Sequence, residues 1–285
     1  MGNNTSNEVG SLILITCDSL RYDFAKNHLD GIFEEQTFSK IHTLDTRTAL
    51  NLPTMFTGLP KEEHKSLHPW EPVQYEDCLF DHLNSWCTVS RYLGWSRDHE
   101  VVSRELEPHA YTRMNDQPHM YHPLDFRPVS MNDNDIFEFV NRNEKTKEWQ
   151  LINYWSWITH YPYGIANLAH RTCPAIMHEE KLLHRLDKEK RDMWYTQGVL
   201  EMKDRIRSIR NMTDDVIVVT SDHGEALGED GIFGHPRLGM GGKLYPPLAE
   251  VPFIINRTCD NIPKEFKQTE FKDIVIKLLE EYNEI

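Results

Sequence analysis

A chain of 285 residues with 39% hydrophobic, 11% aromatic and 27% charged residues is long enough for one sizeable folded core, which excludes a disordered or fibrous class. Its net charge of −14 excludes a general nucleic-acid binder, whose footprint is basic, but not a small anionic substrate met by a local positive centre such as a metal ion. Five cysteines (Cys17, Cys78, Cys87, Cys173 and Cys259) follow no metal-ligand or disulfide spacing, and no apolar stretch approaches the roughly 20 residues that span a bilayer.

The chain begins with a polar tail over residues 1–10 and no secretory apolar core, so a cytoplasmic location is the default expectation. Met1-Gly2-Asn3-Asn4-Thr5-Ser6 also fits the N-myristoylation pattern, which matters only in a eukaryotic or viral chain. Residues 11–16 form a short run of apolar, largely β-branched type, the signature of a strand buried on both faces. It ends at Asp18-Ser19-Leu20-Arg21-Tyr22-Asp23, where Asp18 is read equally well as a helix cap or as a ligand. A strand over 37–41 follows. Next comes Thr48, ahead of an apolar segment closed by Gly58, as either a helix N-cap or a nucleophile at a helix N-terminus.

The stretch 61–128 carries weak signals: a helix over 75–84, a strand over 87–90, and a loop over 98–128 rich in His, Pro and Asn that belongs to the rim of a site. His99, His109, His119 and His122 lie there without ligand spacing. A helix over 133–143 and a core strand over 149–157 lead to His160. Residues 177–211 are read as a long charged helix with its apolar residues at helical intervals.

Val216-Ile217-Val218-Val219-Thr220 is a further buried strand. Directly behind it stand Ser221-Asp222-His223-Gly224-Glu225, then Gly234-His235-Pro236 after a Gly-rich loop. A carboxylate and an imidazole side by side at a strand's carboxyl end suit a divalent ion, and open α/β sheets build their sites at such ends. A strand over 251–255 and a helix over 268–281 complete the chain, and Asn211 and Asn256 open Asn-x-Thr triplets that matter only in a secreted chain.

With Asp18, His160 and Asp222-His223 at three strand ends and Thr48 and His235 between them, the chain resembles the alkaline phosphatase superfamily, in its sulfatase-like branch. The likeness is carried by Asp18-Ser19-Leu20-Arg21-x-Asp23, by Thr48-Ala49-Leu50-Asn51-Leu52-Pro53-x-Met55-Phe56-Thr57-Gly58, and by Asp222-His223-Gly224-Glu225 with His235 thirteen positions beyond Asp222. Lys243-Leu244-Tyr245 and Glu250-Val251-Pro252 look like the segment that follows the last His in that family.

The resemblance implies an α/β fold with a central, largely parallel or mixed β-sheet flanked by helices on both faces, as one catalytic domain over 1–285 with residues 1–10 a flexible tail. It implies that Asp18, Thr48, Asp222 and His223 surround one tightly held divalent metal. Zinc is the expected ion, with manganese or calcium as alternatives and a second ion left open. It places His160 and His235 across the substrate as second-metal ligands or hydrogen-bond donors, with His160, His235, Arg21 and Lys243 as substrate-binding residues. The activity implied is phosphoester hydrolysis or phosphoryl-group transfer to or from a small phosphorylated substrate through a phospho-Thr48 intermediate. A sulfate-ester or phosphonate-ester hydrolase is the alternative enzyme, and a non-catalytic binding protein the alternative of another class.

Three departures qualify the resemblance. Sulfatases use a Cys or Ser converted to formylglycine, which Thr48 cannot become. Cys17 stands where sulfatases carry a second acidic ligand, and is read as a core residue. Ser156 stands where two-metal members carry an Asp, which argues for one metal.

Overall fold

Six consecutive buried residues admit no polar face, so the run Leu12–Cys17 can only be a strand covered on both sides. The computed structural model, which describes residues 11–64, 77–89, 135–161, 163, 183–236 and 244–283, makes it β1 (Leu12–Cys17). The other strands are β2 (Thr37–His42), β3 (Trp86–Val89), β4 (Leu151–Ser156), β5 (Val216–Thr220), β6 (Ala226–Leu227), β7 (Phe233–Gly234), β8 (Glu250–Ile255) and β9 (Glu265–Lys267). Seven of them form one mixed sheet in the order β3-β4-β1-β5-β8-β2-β9, and β6 and β7 pair as a separate two-stranded hairpin. β3, β4, β1 and β5 run parallel, while β8 is antiparallel to both β5 and β2.

Among the described residues the helices longer than one turn are α1 (Tyr22–His28), α2 (Thr48–Thr57), α3 (Asp135–Thr146), α4 (Lys188–Arg210) and α5 (Phe271–Asn283). Side chains alternate across β1. Ile13, Ile15 and Cys17 enter one core with Ala25 of α1, Ile136 and Val140 of α3, and Val199, Met202 and Ile206 of α4. Leu12 and Leu14 enter the other with Leu52, Met55 and Phe56 of α2 and Phe271, Val275 and Leu278 of α5. Each fully buried aliphatic or aromatic side chain contributes roughly 1.5–3 kcal/mol relative to exposure, so both helix layers are held firmly to the sheet. The expected α/β sheet with helices on both faces is thus observed, and Cys17 is a core residue.

Some boundaries differ for local reasons. The helix expected over 177–211 begins at Lys188, because Asp187 caps it by accepting from Lys190 N at 2.8 Å; residues 177–182 lie outside the described part. Over 75–84 the described residues form only a 3-10 turn, Leu79–His82. The loop expected over 98–128, with its four histidines, lies outside the described residues, as does the tail 1–10. Cys17 and Cys78 are buried and Cys259 is half-buried. The buried Asn256 side chain accepts from Ile217 N and donates to Asp215 O, so its amide is committed inside the fold and its triplet is not a surface acceptor site.

Candidate active site

Parallel pairing brings three strand ends together. β1 lies between β4 and β5 with Thr16 opposite both Trp155 and Thr220, so the residues that follow each strand meet at one edge of the sheet. Asp18 N donates to Ser156 O at 2.8 Å, Thr159 Oγ1 to Asp18 O at 2.7 Å, and Leu20 N to Ser221 Oγ at 2.8 Å, which ties the three loops to one another. Ser19 turns through φ 66°, a left-handed conformation uncommon for a non-glycine residue, and its hydroxyl donates to Asp18 Oδ1 at 2.9 Å.

Asp222 is fully buried. Its Oδ1 accepts from His223 N at 3.0 Å, Ser19 N at 3.2 Å and Ser221 Oγ at 3.5 Å, while its Oδ2 has no hydrogen-bond partner among the described residues. His223 is also fully buried, and its Nδ1 donates to Gly224 O at 2.9 Å, which leaves the Nε2 lone pair facing Asp222 Oδ2 at 3.5 Å and Asp18 Oδ1 at 3.8 Å. Burial pushes the His223 pKa down from the ordinary histidine value against the pull of Asp222, so this ring is neutral. Ligand atoms of Asp18, Asp222 and His223 all lie within 4.8 Å of one another. Two buried carboxylates and a neutral imidazole, with Asp222 Oδ2 unpaired among the described residues, form a donor set of the kind that suits a divalent cation.

Thr48 opens α2, with Arg47 at the cap position, so the helix-cap reading of Thr48 does not hold. Its Oγ1 lies 3.2 Å from His223 Nε2. The turn before it is locked: buried Asp45 accepts from Thr46 N, Arg47 Nε and Lys61 Nζ, and exchanges two hydrogen bonds with Asn51. Thr46 Oγ1 donates to Pro236 O at 2.8 Å, fixing this turn to the segment that carries His235. At its far end α2 stops at Gly58, φ 72°, as the sequence predicts. Gly224 is required by close packing: an added Cβ would lie 2.0 Å from Pro247 O, and Gly224 N donates to Leu248 O.

His160 and His235 stand together, ring centroids 5.0 Å apart, with His235 4.5 Å from His223 and Trp157 5.7 Å from His160. The structure therefore gathers Asp18, Thr48, Asp222, His223, His160 and His235 into one centre. His160 Nδ1 donates to Tyr161 O at 2.7 Å. His235 Nδ1 lies 2.7 Å from Oε2 of the buried Glu225, whose Oε1 accepts from Tyr163 at 3.1 Å. Glu225 closes the Asp222-His223-Gly224-Glu225 motif, and its partner is visible only in the fold.

Arg21 is differently employed from the expectation that it binds substrate. Its side chain is 6% exposed and holds Asp23 through Nε and Nη2, and Glu229 and Glu225 O through Nη1. Burial opposes its charge, but the hydrogen bonds and charges of Asp23 and Glu229 outweigh that and raise its pKa. It braces the loop behind the site. Lys243 lies outside the described residues. Ser156 accepts from Ile158 N through its hydroxyl, a turn contact.

No family model matches the sequence, and no curated protein matches it. Solved structures do match. The periplasmic domain of phosphoethanolamine transferase EptC from Campylobacter jejuni is similar at TM-score 0.58 and 15% identity, over 95% of this chain and 89% of that one. The corresponding domain from Escherichia coli, solved as a complex with zinc, is similar at TM-score 0.59 and 14% identity, over 98% and 84%. The chain has the alkaline phosphatase/sulfatase-like fold. Of the integral membrane phosphoethanolamine transferase EptA from Neisseria meningitidis it spans 56%, at TM-score 0.65 and 14% identity over 97% of this chain. A phosphonate monoester hydrolase, a glycosaminoglycan sulfatase and a lipoteichoic acid synthase share the fold. These neighbours overturn the cytoplasmic expectation, because the matching Campylobacter and Escherichia domains are periplasmic. Among the described residues no helix is long and apolar enough to cross a membrane.

Proposed function

We propose that this chain is a metal-dependent phosphoester transferase or hydrolase that acts through a covalent phospho-Thr48 intermediate. The observation that carries the reading is the Thr48 hydroxyl, 3.2 Å from His223 Nε2 at the start of α2, beside a buried Asp18-Asp222-His223 set in which Asp222 Oδ2 lacks a hydrogen-bond partner among the described residues. Those three side chains and Thr48 would hold a divalent ion, for which carboxylate and imidazole donors favour zinc. Bound there, the ion supplies the positive charge that activates a hydroxyl and offsets the charge of a phosphoryl group.

The protein's own groups account for the rest. Thr48 Oγ1 gives its proton to solvent and bonds to phosphorus as the ester oxygen leaves with the bonding electron pair; an acceptor, water or an alcohol, later loses its own proton to solvent and takes the phosphoryl group, and the Thr48 oxygen is reprotonated. The N–H groups of the first turn of α2 face the anionic group. His160 and His235 line the opposite wall, within reach of oxygens on the transferred group. Because a Thr hydroxyl cannot become formylglycine, phosphoester chemistry is preferred to sulfate-ester chemistry. We place the chain outside the cytoplasm, in line with the periplasmic domains that share its fold.

The test is metal analysis of the purified protein together with turnover of p-nitrophenyl phosphate, bis-p-nitrophenyl phosphate, a phenylphosphonate ester and p-nitrophenyl sulfate, with and without Thr48→Ala. About one zinc per chain and phosphoester turnover that Thr48→Ala lowers by about 10³-fold or more, with metal content kept, is the expected result. Full activity in Thr48→Ala would end the covalent reading. Preference for the sulfate ester would transfer the site to the sulfatase class.

A further inference from the structure

We propose that Tyr195, on the helix α4 that carries none of the candidate site residues, is the positioning residue that sets Asp18 and Asp222 for a cation, acting through the backbone of Ser19. The inference rests on the metal-dependent reading above and deepens it.

Ser19 joins the two carboxylates. Its N–H donates to Asp222 Oδ1 at 3.2 Å and its hydroxyl to Asp18 Oδ1 at 2.9 Å, so one residue touches an acid from each of two neighbouring strand ends. It does so at φ 66°, a conformation that is strained for a residue with a Cβ and persists only where the surroundings over-determine it. A serine there needs a hold from outside its own turn.

Tyr195 supplies that hold. Its fully buried hydroxyl donates to Ser19 O at 2.7 Å and accepts from Arg21 N at 2.8 Å, one bond on each side of Leu20. The one hydrogen of the phenol is therefore spent on this turn. Leu20 N donates to Ser221 Oγ at 2.8 Å, so neither peptide plane beside Leu20 can rotate without leaving a buried backbone group unpaired. The ring is held as firmly as the hydroxyl. It meets Phe24 of α1 edge-on at 4.7 Å and Tyr163 edge-on at 5.0 Å. One turn earlier on α4, Arg191 Nε donates to Leu227 O of β6 at 2.6 Å, which bonds the helix to the hairpin before His235 as well.

The consequence reaches the ligand atoms. Asp18 Oδ1 and Asp222 Oδ2 lie 3.8 and 3.5 Å from His223 Nε2, and the orientation of both carboxylates is set by what Ser19 donates to them. With the Tyr195 hydroxyl gone the turn loses its outside anchor, Ser19 N and Oγ release the two acids, and binding an ion then requires ordering them first. Groups that orient ligands from behind in this way are worth about 10- to 100-fold in metal affinity.

The decisive variant is Tyr195→Phe, which keeps the ring against Phe24 and Tyr163 and deletes one oxygen. Zinc dissociation constants are measured by competition with a chromophoric chelator, on protein shown to be folded by circular dichroism. The zinc that counts is the zinc lost in Asp222→Asn. Tyr195→Phe should bind it about 10- to 100-fold more weakly than the parent, with the stoichiometry unchanged. Val275→Ala, which opens a cavity in the core on the other face of the sheet, controls for stability alone: it should lower the melting temperature and leave the zinc constant where it was. Ser19→Ala removes the hydroxyl at the Asp18 end while keeping Tyr195, and should also weaken zinc, by about 10-fold. It carries the test if Tyr195→Phe does not fold. Parent-like zinc affinity in Tyr195→Phe, whatever its melting temperature, would overturn the inference, and parent-like affinity in Ser19→Ala would overturn the route through Ser19. If instead the parent's zinc binding is untouched by Asp222→Asn, the metal reading itself falls, and this inference with it.

Discussion

Replacing Asp222 by Asn separates a metal ligand from a structural carboxylate. Asp222 Oδ1 receives Ser19 N, His223 N and Ser221 Oγ, and an Asn carbonyl oxygen accepts all three equally well. What the substitution removes is the negative charge on Oδ2, a buried atom with no hydrogen-bond partner among the described residues, in a group whose candidate ligand atoms from Asp18, Asp222 and His223 lie within 4.8 Å of one another. In metal-free protein that charge is a burden, so the variant should be at least as stable as the parent. With metal at about 100 times its dissociation constant the parent gains about 2.7 kcal/mol. For a chain of 285 residues this raises the melting temperature by about 5 °C or somewhat more. Losing one charged ligand lowers affinity by on the order of 100-fold, so at the same metal concentration the variant gains only about 0.4 kcal/mol, a shift of about 1 °C. Thermal unfolding followed by circular dichroism, with chelator and with zinc, reads both quantities. An equal metal-induced shift in the two proteins, or a metal-free variant less stable by more than about 2 kcal/mol, would show that Asp222 serves the fold and not an ion.

Two further outcomes follow from the surroundings of the site. Gly224→Ala should cost several kcal/mol and lower soluble yield, because its Cβ would lie 2.0 Å from the Pro247 carbonyl oxygen; a melting temperature within 2 °C of the parent would contradict that packing. Burial lowers the His64 pKa below the ordinary value of 6.5, and its Nε2 donates to Thr54 Oγ1 on α2, the helix that Thr48 opens, since that hydroxyl already donates to Leu50 O. Above about pH 6.5 both folded and unfolded forms are neutral. As pH falls below it the unfolded chain takes a proton that the folded one resists, so stability should decline. His64→Gln should flatten this part of the urea-midpoint profile between pH 7.5 and 5.5, and an unchanged slope would exclude His64 as its source.

Much of the candidate site was legible because its polar residues sit directly behind apolar strands. Asp18, His160 and the Asp222-His223 pair each follow a run whose continuous hydrophobicity marks it as a buried strand, and the carboxyl ends of parallel neighbours must coincide. Thr48 was legible as a residue opening an apolar segment, though whether it capped the helix or began it depended on Arg47, whose backbone takes the cap position. Arg21 misled for a plain reason. A cation near a ligand reads as an anion binder until its partner is seen, and Glu229 lies 208 residues away in the chain. The long charged helix was overextended because periodicity has no way to register Asp187 closing its first turn.

What the sequence determined by itself is the set of strands, their burial on both faces, and the chemical types available at their ends, since side-chain period and residue type act locally. The tertiary structure alone decided which atoms of those residues are already occupied. It left Asp222 Oδ2 bare and saturated Oδ1, set His223 Nε2 toward the carboxylates by engaging Nδ1, and placed Glu225 against His235 through a two-stranded register. Those are hydrogen-bond assignments between groups brought together by folding. A donor or acceptor has a limited number of partners, so only the folded arrangement tells which of them remain for chemistry.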